Sequence, residues 1–242
     1  MSHPHLIKAV FWDVDGTLID SEDLHQQIFL DLCSEYGLSI TSEQARQLRA
    51  TTFEHKWDFF QNRGGWRIDQ ADWRKKYNQL YQKSVRRTNE RPNVTDTVRC
   101  LHKTGTPQAC VSNGDREVVE INLALLGLTH CFDFVVANGD YNQGKPHPEP
   151  YARACAKLNL KPDNCLAVED SSVGLESALR AGLITAFWPK DAGDSPTTLR
   201  PNFDLRQQGF PWALLAKKTN KIKKSHLHPG CVSQKSGHLP GC

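Results

Sequence analysis

From Leu6 to Trp12 the chain reads Leu-Ile-Lys-Ala-Val-Phe-Trp, a short apolar run rich in branched and aromatic residues that stops at Asp13 in an Asp/Gly/Thr turn. This pattern predicts a buried strand that hands its end to a loop. Between Glu22 and Tyr36, Leu24, Ile28, Phe29 and Leu32 recur at helical spacing and Gly37 supplies the stop, so a helix is expected there. Ser42, Arg46, Leu48, Phe53, Trp57 and Phe60 suggest one or two further helices ending near Gly64-Gly65. Asp69 then opens another, in which Trp73, Tyr77 and Leu80 fall at i, i+4 and i+7. Residues 21–88 thus read as an all-helical insert.

Beyond Pro92 the pattern alternates. Helices are expected at Val94–Lys103, Glu117–Leu126, Glu149–Leu158 and Val173–Ala181. Each leads to a short apolar strand: Gln108–Val111, Phe132–Ala137, Cys165–Val168 and Leu183–Phe187. Apolar strands alternating with helices call for a parallel sheet covered on both faces, an α/β architecture, and ligands in such sheets sit outside the C-terminal strand ends. The expected division is a core of residues 1–20 and 89–216, a helical cap of 21–88, and a disordered basic tail of 217–242.

Composition narrows the picture. Of 242 residues, 38% are apolar and 24% charged, which suits a soluble chain with a sizeable core and disfavours disorder. No apolar run approaches the ~18 residues of a bilayer-spanning helix, and Met1 to Lys8 lack a secretory pattern, so no membrane association and a cytoplasmic location are expected. Eight cysteines without a Cys-x-x-Cys pair read as reduced core residues. The formal charge of +3 is uneven: residues 217–242 hold six lysines and no acid, leaving 24 basic against 27 acidic groups in the rest. The body is therefore mildly acidic and no nucleic-acid partner is expected for it; nucleic-acid or partner binding through the basic tail is a rival reading of another class. His226, His228 and Cys231 in that tail could ligate zinc but lack a fixed framework.

Four predicted strand ends carry matched polar groups. Asp13 and Asp15 follow the first strand, Ser112 and Asn113 follow Val111, Glu169 and Asp170 follow Val168, and Lys145 lies in the turn Gly144-Lys145-Pro146. Carboxylate pairs and an ammonium on one sheet edge are costly to assemble unless a cation and an anion neutralise them, and Mg²⁺ with a phosphoryl group meets both demands. Phosphoryl transfer needs a nucleophile, neutralisation of the equatorial oxygens and a proton donor for the leaving oxygen. Asp13 is placed to attack. Asp15, at i+2, can shuttle the proton, and burial beside another carboxylate is expected to raise its pKa. Asp170 offers a hard oxygen to Mg²⁺, with Asp13 and a backbone carbonyl near Asp15 completing the metal set, while Glu169 is expected to hold metal waters. Ser112, Asn113 and Lys145 are the expected substrate-binding groups.

Asp13-Val14-Asp15-Gly16-Thr17, Val111-Ser112-Asn113-Gly114, Gly144-Lys145-Pro146 and Val168-Glu169-Asp170-Ser171 closely resemble, in order, the four motifs of the haloacid dehalogenase-like hydrolase superfamily. The resemblance spans roughly residues 5–190. It implies a Rossmann-like three-layer core with a helical cap inserted after the first motif. It also implies Asp13 as nucleophile, Asp15 as acid/base, Asp170 as metal ligand, and Ser112 and Lys145 as phosphate-holding groups. A second aspartate, Asp15, sets the sequence apart from the metal-free dehalogenases of that superfamily.

The expected activity is Mg²⁺-dependent hydrolysis of a small phosphorylated metabolite, a sugar or polyol phosphate, through an aspartyl-phosphate. A phosphomutase of the β-phosphoglucomutase type is the nearest alternative. His25 stays open between a residue at the active-site mouth, as members resembled here carry, and an ordinary surface helical histidine. Residues 42–88 contain 11 Arg and Lys against five Asp and Glu. They form either a lid that reads a second anionic group or sugar ring, or a helical pair with Trp57, Trp73 and Tyr77 as its own core. Where the resembled cap loop has a glycine and a basic residue, this chain has Arg49 but no glycine.

Overall fold

A computed structural model describes residues 6–49, 51–64, 67–91, 93–189 and 199–215. Six parallel strands form one sheet: β1 (Ala9–Trp12), β2 (Gln108–Asp115), β3 (Phe134–Asn138), β4 (Cys165–Glu169), β5 (Ile184–Phe187) and β6 (Phe203–Asp204), in the order β3-β2-β1-β4-β5-β6. β1 is central, fully buried, and pairs with β2 on one side and β4 on the other, so both flanking strands end beside its own end. The chain direction across the sheet reverses between β1 and β4, which opens a crevice at the C-terminal strand ends.

Alternate strand residues serve opposite faces. Val10, Trp12, Cys110, Leu166 and Val168 pack with α5 (Val94–Lys103) and α6 (Arg116–Leu126). Phe11, Ala109, Val111 and Ala167 pack with Tyr151, Ala154 and Cys155 of α7 (Glu149–Leu158) and Ala178 of α8 (Ser172–Arg180). Helix, sheet and helix thus form the three layers of a Rossmann-like core.

Between β1 and α5 run four helices: α1 (Glu22–Glu35), α2 (Ser42–Leu48), α3 (Phe53–Gln61) and α4 (Gln70–Ser84). Their starts follow from the caps: Thr41 and Gln44 form a reciprocal box on α2, Thr52 accepts from His55 N–H on α3, and Asp69 accepts from Asp72 N–H on α4. Phe29, Phe53, Trp57, Phe60 and Tyr77 surround the fully buried Trp73, with ring centroids 5.2–6.2 Å from it. Trp57, Trp73 and Tyr77 thus pack together as a core of these helices. A short helix α9 (Leu205–Gln208) follows β6. Six of the cysteines are buried and in no disulfide among the described residues; Cys231 and Cys242, with the rest of the basic tail and its possible zinc ligands, lie outside the described residues. Among the described residues no helix is long and apolar enough to cross a membrane.

Candidate active site

Trp12 ends β1 opposite Cys110 of β2 and Val168 of β4, and the Asp13 N–H donates to Val168 O at 3.0 Å. Asp13 therefore emerges between the ends of both neighbours. Lys145, from the segment between β3 and α7, reaches into the same point. Its Nζ donates to Asp13 Oδ1 at 2.6 Å, Glu169 Oε1 at 2.7 Å and Val111 O at 2.7 Å. Three acceptors match the three ammonium protons, and the whole set is buried. Burial works against the Lys145 charge, but Asp13 and Glu169 outweigh it and hold its pKa above the ordinary lysine value.

Three carboxylates crowd this lysine. Asp13, Glu169 and Asp170 each place an oxygen within 4.8 Å of the others. Burial raises Asp13 and Asp170 above the ordinary aspartate value and pushes Glu169 up to about 7; repulsion adds to each shift, from Asp15 on Asp13, from Asp13 on Glu169, and from Asp13 and Glu169 on Asp170, although Lys145 opposes all three. Glu169 Oε1 accepts from Lys145 and from the Tyr151 hydroxyl, whereas its buried Oε2 has no partner. Two glycines make the crowding possible. A Cβ on Gly16, whose φ is +87°, would lie 2.0 Å from Asp170 Oδ2, and a Cβ on Gly174 would lie 1.8 Å from Glu169 Oε2.

Asp15 stands outside that cluster. Its Oδ1 accepts from Ser21 Oγ at 2.7 Å and lies 3.3 Å from His25 Nε2. Burial raises the Asp15 pKa, but the His25 and Ser21 contacts outweigh it and leave the carboxyl below its ordinary value, the opposite of the sequence-based expectation. The competing groups come from α1 and its cap, which sequence proximity to Asp13 did not reveal. His25 is no stray surface residue: Nδ1 is 2.9 Å from the Tyr77 hydroxyl, and its ring stacks on Tyr81 at 4.6 Å.

The expected phosphate donors divide. Ser112 is buried, accepts from the Gly114 N–H at 2.9 Å through its hydroxyl, and lines the cleft. Asn113 instead uses its amide on the Lys145 backbone, accepting from Lys145 N–H at 2.8 Å and donating to Lys145 O at 3.0 Å. It thereby clamps the loop that carries Lys145, because β2 continues past Val111 and runs alongside that loop, and Asn113 also lines the cleft.

A cleft of about 330 Å³ opens over these groups. Its floor is Asp13, Asp15, Ser112, Lys145 and Asp170, and its far wall is His25, Thr51, Thr52, Lys56, Tyr77 and Asn78 from the helical segment. The sequence profile of the haloacid dehalogenase-like hydrolases matches residues 10–187, a span that contains every floor residue. The chain belongs to that family.

Among relatives of this haloacid dehalogenase-like hydrolase, Protein CbbY of Rhodobacter capsulatus is 32% identical over 199 residues, 76% of this chain and 86% of that one. The 6-phosphogluconate phosphatase of Escherichia coli is 25% identical over 194 residues, 78% of this chain and 86% of that one. The crystal structure of CbbY from Rhodobacter sphaeroides in complex with phosphate superposes with a TM-score of 0.71 at 24% identity, covering 82% of this chain and 93% of that one, a likeness of fold. As a haloacid dehalogenase-like hydrolase with phosphatase relatives, the chain is a phosphoric monoester hydrolase.

The donor set of this hydrolase fits a small hard cation. It offers only carboxylate oxygens, one buried oxygen without a partner, and three acids against a single ammonium. The side chains that gather are Asp13, Glu169 and Asp170; the Asp15 carboxylate is not among them.

Proposed function

We propose that this hydrolase dephosphorylates a small phosphorylated metabolite, a sugar or polyol phosphate, with Mg²⁺ and through an aspartyl-phosphate on Asp13. The observation that carries this reading is Lys145, whose ammonium bonds Asp13 on the floor of a cleft where two further carboxylates converge. Relatives named as phosphatases of sugar-derived phosphates support the substrate class.

In this reading Asp13 attacks phosphorus with one oxygen while Lys145 keeps the other in place. The phosphorus–ester bond breaks, and the leaving oxygen takes a proton from Asp15. The phosphoryl charge next to Asp15 raises its carboxyl from the low resting value, so that Asp15 enters the step protonated, oriented by Ser21 at 2.7 Å and His25 at 3.3 Å. Water then attacks the aspartyl-phosphate at phosphorus, gives its proton to Asp15, and releases phosphate and free Asp13. Ser112 holds a phosphoryl oxygen. Asp13, Asp170 and the Asp15 carbonyl, with Glu169 beside them, would hold Mg²⁺, which would supply positive charge against the transferring group. The segment 21–88 acts as a cap over the core of 1–20 and 89–216 and keeps solvent from the cleft.

Phosphate release from a panel of sugar and polyol phosphates tests the proposal. Wild type turns over at least one with Mg²⁺ and none with chelator, and Asp13→Asn loses activity by on the order of 10⁴-fold while staying folded. Activity retained by Asp13→Asn or in chelator contradicts it.

A further inference from the structure

Glu169 ends β4 fully buried, and its two carboxylate oxygens have unlike surroundings. Oε1 accepts from Lys145 Nζ at 2.7 Å and from the Tyr151 hydroxyl, two donors for the two lone-pair sites of one oxygen. Oε2 is buried too, and among the described residues nothing donates to it. A bare buried carboxylate oxygen is costly unless a cation or a bound water meets it. The carboxylates around it, Asp13 and Asp170, are the ones that suit a small hard cation.

Tyr151 is the third residue of α7 and lies outside the four motifs legible in the sequence. It follows Lys145 on the same connection from β3, so one segment of chain brings both donors to Glu169. Its ring is fully buried in the cluster that holds Phe11, Val111, Ala154 and Ala167, and a phenylalanine would fill that space as well. What tyrosine adds is the hydroxyl, and the hydroxyl bonds Glu169. Lys145 alone would hold Glu169 at one point, about which the carboxylate could swing. Its Nζ is also shared with Asp13 and Val111 O. A second donor on a packed ring removes that freedom. On the other side, the side chain that Gly174 lacks leaves Oε2 its space, since a Cβ there would lie 1.8 Å from it.

We propose that Tyr151 is a positioning residue for the metal: with Lys145 its hydroxyl occupies Glu169 Oε1, and this commits Oε2 to Mg²⁺ or to a water that Mg²⁺ carries. This rests on the Mg²⁺-dependent reading of the site and adds to it a residue that acts only through Glu169.

Calorimetric titration of Mg²⁺ into wild type, Tyr151→Phe, Glu169→Gln and the double variant tests it. Free Mn²⁺ followed by electron paramagnetic resonance serves as a second probe where Mg²⁺ binding is too weak for calorimetry. Tyr151→Phe is expected to weaken binding about 10- to 100-fold. With Gln at 169, the group that Tyr151 orients ends in an N–H donor and takes no cation, so the same change then shifts binding by less than about twofold. Tyr151→Met gives the same comparison should Tyr151→Phe fail to fold. Binding by Tyr151→Phe equal to that of wild type, an equal loss in both backgrounds, or a wild type that binds neither ion overturns the proposal. Failure of the phosphatase reading shows separately, as wild type that binds Mg²⁺ yet releases phosphate from none of the sugar and polyol phosphates.

Discussion

Lys145 and Lys56 are both buried in one cleft, and what surrounds each explains their opposite behaviour. Lys145 is held charged by Asp13 and Glu169; Lys56 bears the cost of burial with no acid in contact among the described residues. The second case gives a stability prediction with a definite sign. Below about pH 8, folded and unfolded chains both hold the Lys56 proton, and the folded chain bears the full cost of the buried charge. Between about 8 and the ordinary 10.5, the unfolded chain keeps a proton that the folded one has lost, so this group makes the protein more stable as pH rises. Lys56→Met should therefore exceed wild type in stability at pH 7 by on the order of 2 kcal/mol, and the gap should narrow toward pH 10. Urea unfolding of both proteins across that range measures it, and a gap that widens with pH counts against the assignment. Asp13 and Asp170 were legible from the sequence because each directly follows an apolar strand, and Lys145 because of the turn Gly144-Lys145-Pro146. The clamp made by Asn113 and the His25–Asp15 contact were not, since each depends on what a distant segment packs against the residue.

Helix α8 shows how one glycine links an element to the site. In an ordinary helix interior Gly→Ala stabilises by about 1 kcal/mol. At Gly174, however, the added methyl would meet Glu169 Oε2 at 1.8 Å, and that carboxylate is pinned by Lys145 and Tyr151. Gly174→Ala should reverse the usual sign and destabilise by on the order of 2 kcal/mol, read by thermal unfolding; a stabilised variant would show that Glu169 is free to move. Among the elements, α5 and α7 coincide with the expected Val94–Lys103 and Glu149–Leu158, because amphipathic spacing and clear stops define them. β2 outruns its expected end, since Ser112 to Asp115 continue as strand despite their polarity. The elements β6 and α9, two and four residues long, are too short to show any period.

At the scale of the whole molecule, the sheet order places β1 between β2 and β4, and that single topological fact converts scattered motifs into one site. Alternating apolar strands and helices made the parallel sheet legible; the composition of the cleft's far wall was not, because the same aromatic and basic residues serve a helical core and a lid. Trp73 belongs to that core, whereas His25, Lys56 and Asn78 face the cleft. The central claim is that the phosphoryl group rests on Asp13 before water takes it. Two successive in-line displacements restore the configuration at phosphorus, whereas direct attack by water inverts it. The stereochemical course, followed with a substrate made chiral at phosphorus by oxygen isotopes and trapped by transfer to an alcohol acceptor, therefore decides the matter: net retention is the predicted result, and net inversion would contradict it.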